Sequence, residues 1–291
     1  MASVAALQGW SGSIVYRLDF PDLAAPTDHG TWPLLATHPF SALAFRGGTG
    51  APRLQTGALV YRRVRRDITT PHQTATARPD VAVDNPVEQA LLANDDMGAP
   101  GPLSLVGRCV NSYDPGATPQ RLPAPEGNTI AANTGESRWV RDAPRYEWHA
   151  PGLQGFIGAS NGEELVFPGC HVRFETPYGL IALVSLDGRS IDASNRLFAT
   201  FVNDFKGHNR SEWQETDRKG KQDGLPLKRL PVPGDLPILM REGVASVRFN
   251  TPVRQAWALD ASGRRAKEVA AQSSGLVLRT SDGLWFELTR D

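Results

Sequence analysis

Beyond Gly127 the chain is divided into short strand-forming runs that recur about every 8–12 residues, the spacing of an antiparallel sandwich or barrel. The runs are Ser137–Val140, Arg145–His149, Leu153–Ile157, Glu164–Phe167, His171–Glu175, Gly179–Leu186 and Leu197–Val202. After a charged stretch come Ile238–Met240, Ala245–Phe249, Arg254–Leu259, Leu276–Arg279 and Trp285–Leu288. Turn residues separate them: Asp142-Ala143-Pro144, Asn161-Gly162, Pro168-Gly169, Asp187-Gly188 and Ser281-Asp282-Gly283. Asn-Gly and Asp-Gly suit type I′ hairpins, where both central residues need φ > 0. Leu180-Ile181-Ala182-Leu183-Val184 is apolar throughout and predicts a central strand buried on both faces. The expected fold is mainly β: an antiparallel β-sandwich over residues 127–291, with a short N-terminal α/β segment and one or two helices.

The first 126 residues read differently. Ala5 to Trp10 resembles a helix end, and Ile14 to Leu18 a short apolar strand. Pro39 to Arg46 predicts a helix, with Thr37 as cap and Gly47-Gly48 as its stop. Leu59 to Val64 predicts a strand. Its arginines, Arg62, Arg63, Arg65 and Arg66, suggest an edge guarded by charge. Asn85-Pro86-Val87-Glu88 carries a helix-start signature. Thr69–Asn85, Pro115–Gly127 and Lys206–Lys228 read as loops. Three units are expected: 1–50, a connecting region at 51–126, and the sandwich.

Lys+Arg and Asp+Glu each number 31, so net charge offers no reason to expect nucleic acid or an anionic membrane as partner. No apolar run approaches the roughly 18 residues of a membrane span. Met1 to Trp10 lacks the basic and apolar regions of a signal peptide. Cys109 and Cys170 make one bridge or none, and composition fixes no compartment.

Three stretches resemble bacterial glycoside hydrolases. Ala5-Ala6-Leu7-Gln8-Gly9-Trp10-Ser11-Gly12, followed by a Tyr-bearing strand, is similar to the passage into the eighth strand of a (β/α)8 barrel, with Ser11 where Asp is usual. His38-Pro39 with Ala42-Leu43-Ala44-Phe45-Arg46-Gly47-Gly48 resembles the helix that follows. Asn133-Thr134-Gly135-Glu136-Ser137-Arg138-Trp139, Gln154-Gly155-Phe156-Ile157-Gly158 and Ser185-Leu186-Asp187-Gly188 resemble, in order, the β-sandwich attached behind such barrels. The resemblance implies that 1–50 is a barrel-end remnant. It also implies that the catalytic carboxylate pair, spaced about 5–5.5 Å for retention or 6.5–9.5 Å for inversion, lies upstream. No catalytic residue carries over.

Other candidates come from the residues themselves. Trp148, on a strand between Glu147 and His149, and Trp213, in a charged loop, are the expected carbohydrate platforms among seven tryptophans. Trp257 and Trp285 are expected in the core. His149, His171, Cys170 and Glu147 would be the place for a divalent transition metal if their strands were neighbours. Asn94-Asp95-Asp96 offers oxygen ligands, and the resemblance makes a structural Ca2+ a candidate cofactor. Gly158-Ala159-Ser160-Asn161-Gly162 matches a nucleophile-elbow pattern but precedes a strand, so a hairpin turn is expected. Asp187 is expected to serve its Asp-Gly turn.

The leading expectation is a C-terminal accessory β-sandwich module of a glycoside hydrolase, partnered by polysaccharide or by an upstream catalytic barrel. The alternative is an autonomous, metal-dependent hydrolase of glycosides, esters or phosphoesters, with its site on the sandwich.

Overall fold

The computed structural model describes residues 2–8, 37, 39–44, 54–64, 102–112, 114, 116–123, 125–203, 205–208, 214–219, 226–229, 235–272 and 275–290. Three short helical segments lie at Ala2–Leu7, 39–44 and Leu103–Val106. Strands β1 (Leu59–Val64), β2 (Arg108–Ser112) and β3 (Gln120–Arg121) form a small sheet in the order β2-β1-β3. β1 therefore lies between two strands, and the expectation that it is an edge is corrected. β2 runs parallel to it and β3 antiparallel.

The sandwich follows. Its first strands are β4 (Thr129–Ala131), β5 (Ser137–Val140), β6 (Arg145–Ala150), β7 (Leu153–Ala159), β8 (Glu164–Phe167), β9 (Cys170–Phe174), β10 (Tyr178–Ser185) and β11 (Arg196–Val202). Next come β12 (Phe205–His208), β13 (Gln214–Lys219), β14 (Pro226–Arg229) and β15 (Asp235–Met240). They pair as β12 with β15 and β13 with β14, so the region expected to be a single long loop contains paired strands. Its charged, non-alternating sequence gives no period-two signal to reveal them. The chain closes with β16 (Val244–Phe249), β17 (Gln255–Leu259), β18 (Arg265–Val269), β19 (Ala271–Gln272), β20 (Gly275–Arg279) and β21 (Trp285–Thr289).

A nine-stranded sheet, β18-β17-β21-β11-β10-β7-β6-β5-β4, faces a five-stranded one, β19-β20-β16-β9-β8. All their pairings are antiparallel. Between them lies one apolar core. Phe156, Ile181, Phe201 and Phe286 from the larger sheet meet Val172, Phe174, Val247 and Leu278 from the smaller. The Phe156, Phe174 and Phe201 rings pack at 4.9 and 5.3 Å between successive centroids.

The outer face of the nine-stranded sheet holds a second core. Tyr146, Trp148, Leu153, Leu180 and Val184 pack with Ala6, Phe40, Ala44 and Leu54 from the N-terminal region. This explains why β10 is buried on both faces, as its apolar run predicts. The turn chemistry is met most closely at Asn161 (φ 52) and Gly162 (φ 71), both left-handed as a type I′ hairpin requires. At Asp187-Gly188 only Gly188 is left-handed, and the connection continues through 195 before β11 begins. The strand Ile14–Leu18 and the helix opened by Asn85 lie outside the described residues.

Candidate functional site

The principal polar cluster of the sandwich is on β6. Side chains alternate along a strand, so Tyr146, Trp148 and Ala150 enter the outer core while Arg145, Glu147 and His149 turn toward the five-stranded sheet. The β5–β6 hairpin sets Arg138 directly opposite Glu147. The Glu147 carboxylate, 1% exposed, accepts from Arg138 Nε at 2.6 Å and Arg145 Nε at 2.6 Å, and sits 2.9 Å from His149 Nε2. Burial alone would push its pKa up. The bonds from His149, Arg145 and Arg138 outweigh burial and hold it at about 2. The His149 ring also packs on Phe167 of the facing sheet, 5.1 Å between centroids. The cluster thus ties β5, β6 and β8 together at one end of the sandwich.

The metal site expected from His149, His171, Cys170 and Glu147 does not assemble. Strands β6 and β9 belong to different sheets, so the two histidines are not cross-strand neighbours. Neighbouring positions on β9 then face opposite ways. Cys170 enters the core, fully buried, while His171 turns outward, with Nδ1 3.1 Å from Arg248 Nη2 and 3.5 Å from a Glu164 oxygen. Burial first, and the Asp192 charge second, push the Cys170 thiol up to about 12, which opposes the thiolate a metal would need. Glu147 is committed to its arginines. Among the described residues no group of three or more His, Cys, Asp or Glu side chains is placed to hold a metal. Cys109 and Cys170 are both free thiols.

Trp148 is likewise corrected as a carbohydrate platform. It is 4% exposed, with Phe40 at 4.9 Å and Tyr146 at 5.7 Å, both edge-on. Alternation with polar neighbours predicts a surface position, but its face of the sheet is the one covered by the N-terminal region. Trp257 and Trp285, expected in the core, are half-buried on that same outer face. The guanidinium of Arg265 lies 3.6 Å over the Trp257 ring and is held by Glu287, which also binds Arg196. Trp213 and Asn94-Asp95-Asp96 lie outside the described residues.

Ser160 is no nucleophile. It is fully buried in a hairpin turn, and its Oγ donates to the Thr176 carbonyl at 2.7 Å. Asp187 serves its own connection as expected. It accepts from Ser185 Oγ at 2.9 Å, Asn195 N at 2.8 Å and Arg189 N at 3.3 Å. Burial tends to raise its pKa, but these bonds and one from Ser194 bring it down to about 2.

The motif beginning at Asn133 has a role that its sequence did not disclose. The Asn133 side chain pairs with both backbone groups of Ala58, its Oδ1 accepting from N and its Nδ2 donating to O, each at 3.1 Å. Glu136 Oε2 accepts from Gln55 N at 2.6 Å. Asn133 N donates to the Val106 carbonyl at 2.6 Å. Gln8, which follows the N-terminal helix, completes the junction: its Nε2 donates to the carbonyls of Ser104 and Gly107, and its Oε1 accepts from Cys109 N. Gly107 is required here, because a Cβ would stand 2.5 Å from both Ala58 O and Asn133 Nδ2. The motif is a junction between the sandwich and the segments that precede it.

Comparison of the chain with protein-family models, with curated proteins and with solved structures gave no match.

Proposed function

We propose that this chain is the C-terminal accessory β-sandwich module of a glycoside hydrolase, and that its nine-stranded sheet is the seat on which the end of the catalytic barrel rests. The junction around Asn133 carries the reading. Asn133 and Glu136, in the first of the three stretches that resemble the accessory sandwich of such enzymes, bond to Ala58 and Gln55. The segments that resemble the barrel's end supply Ala6, Phe40 and Ala44 to the outer core.

The carboxylates support an accessory role over a catalytic one. A glycosidase needs one carboxyl kept protonated near neutral pH, hence a raised pKa. The described carboxyls with a resolved displacement, Glu147, Asp187, Asp260 and Glu287, are all displaced downward. Each is held as an anion by arginines or by turn amides and hydroxyls.

The test is turnover by the purified chain. Aryl glycosides, an aryl acetate and an aryl phosphodiester are assayed with and without added Zn2+ or Mn2+, beside affinity electrophoresis in a panel of polysaccharides. No hydrolysis is expected under any condition. Hydrolysis that disappears in Glu147→Gln, or on chelation, would replace this reading with the autonomous hydrolase. Retarded mobility in one polysaccharide would add glycan binding to the module's role.

A further inference from the structure

The arginine that follows β21 turns one edge of its guanidinium to backbone carbonyls, with the Phe249 ring centroid 5.8 Å from its central carbon. Residues 190–194 form one helical turn, in which the amides of Ala193 and Ser194 both donate to the Ser190 carbonyl, at 3.0 and 2.8 Å. So short a turn leaves its later carbonyls without amide partners of their own. The Arg290 guanidinium lies where they converge. Its Nη1 donates to the carbonyls of Ile191 at 2.7 Å, Asp192 at 3.0 Å and Ser194, and its Nε to the Thr251 carbonyl at 3.1 Å. One nitrogen with two hydrogens is shared among three acceptors, which is how a cation sits in a cage rather than how a single donor meets a single acceptor.

Two acids act on the guanidinium through their charge. Burial disfavours the charged guanidinium, while the Asp192 and Asp187 carboxylates oppose that loss of charge. Asp192 Oδ1 is buried with no hydrogen-bond partner, as is Arg290 Nη2. The cage is also rigidly held. Asp187 binds the amide of Asn195 at its far end, and the fully buried Ile191 side chain anchors the turn in the inter-sheet core. The groups that touch the guanidinium are backbone carbonyls, oxygen donors of the kind hard cations take, whereas soft transition metals select sulfur and imidazole.

We infer that residues 187–195 form a cation-binding loop whose resident cation is the tethered guanidinium of Arg290. When Arg290 is shortened, the loop takes free guanidinium or a hard divalent cation such as Ca2+ in its place. The inference does not depend on the glycosidase reading.

Thermal melting of the full chain tests it, with Arg290→Met and Arg290→Lys compared in EDTA, CaCl2 and methylguanidinium chloride at matched ionic strength. R290M should melt roughly 5 °C below the parent in EDTA. CaCl2 or methylguanidinium should recover at least about half of that fall while shifting the parent by no more than about 1 °C. The recovery should vanish when Asp192→Asn is added, and R290K should melt close to the parent. If R290M accumulates unfolded, the soluble yield on refolding is read instead, and it should rise with either cation. A variant that melts with the parent, or a fall in melting or yield that neither cation recovers, overturns the inference.

Discussion

Glu147 shows what a single buried carboxylate contributes here. A lone buried charge is strongly unfavourable, and Glu147 is tolerated because Arg138, Arg145 and His149 surround it. Its ordinary pKa of 4.5 falls to about 2 in the folded chain. A depressed carboxylate contributes stability that is complete above the unfolded value and is lost as pH falls toward the folded one. The displacement corresponds to on the order of 3 kcal/mol. Glu147→Gln should therefore be less stable at pH 7 by that order. Its urea midpoint should decline less than the parent's between about pH 5 and pH 2. Equal acid slopes for parent and variant would refute the assignment. The cluster was within reach of the sequence: Arg145, Glu147 and His149 alternate on one strand face, and the β5–β6 hairpin brings Arg138 opposite. What spacing cannot supply is which sheet His171 joins, and the fold divides the candidate metal ligands between two sheets. Trp148 failed as a platform for a related reason. Period-two alternation separates two faces but does not say which of them is covered. Trp148→Ala should cost ~3–5 kcal/mol, as for other buried aromatic truncations, and should leave mobility in polysaccharide gels unchanged. A variant as stable as the parent would return Trp148 to the surface.

At the scale of elements, strands were the most legible feature because turns mark their ends. Asn161-Gly162 turns β7 into β8 as its residue types require, and the apolar run of β10 placed it centrally in its sheet. Elements without such punctuation were missed. β4 is three residues long, and β18 reads Arg-Ala-Lys-Glu-Val, mostly exposed and polar. In sequence the Asn133 motif marks only a resemblance, whereas its bonds make it a joint. Asn133 replaces a strand partner for Ala58 by presenting an amide in place of a peptide group. Its removal should cost about 1 kcal/mol and act locally. In Asn133→Ala, hydrogen exchange at Ala58 should accelerate, while amides of β10 and β11 keep the parent's protection. Uniform acceleration across the sandwich would show that Asn133 supports the whole fold instead of the joint.

On the scale of the whole molecule, the nine-stranded sheet is the middle layer, with the five-stranded sheet on one side and the N-terminal segments on the other. The sandwich strands begin at Thr129, just after Gly127. Yet the outer face of that sheet is also apolar over β6, β7 and β10: Tyr146, Trp148, Leu153, Leu180 and Val184 line it. Such a face in water would be a large exposed patch of the kind stable monomers avoid. The preceding residues are thus part of what makes the sandwich soluble, and the boundary at 127 separates elements without separating cores. Phe40, 3% exposed against Trp148, is the most direct link between the two layers. A chain lacking residues 1–50 should therefore bind a hydrophobic dye strongly, melt at a lower temperature and aggregate as concentration rises. Phe40→Ala in the full chain should reproduce a fraction of that loss, roughly 3 kcal/mol or more, because the Trp148 ring keeps its β-sheet support and Tyr146 but loses the nearer of its two edge-on neighbours. The two variants separate packing from solubility: F40A should remain monomeric by sedimentation while the truncated chain should not. A truncated chain that stays monomeric, excludes the dye and melts with the parent would mean that the outer face needs no cover, and the seat proposed for a barrel end would lose its physical basis.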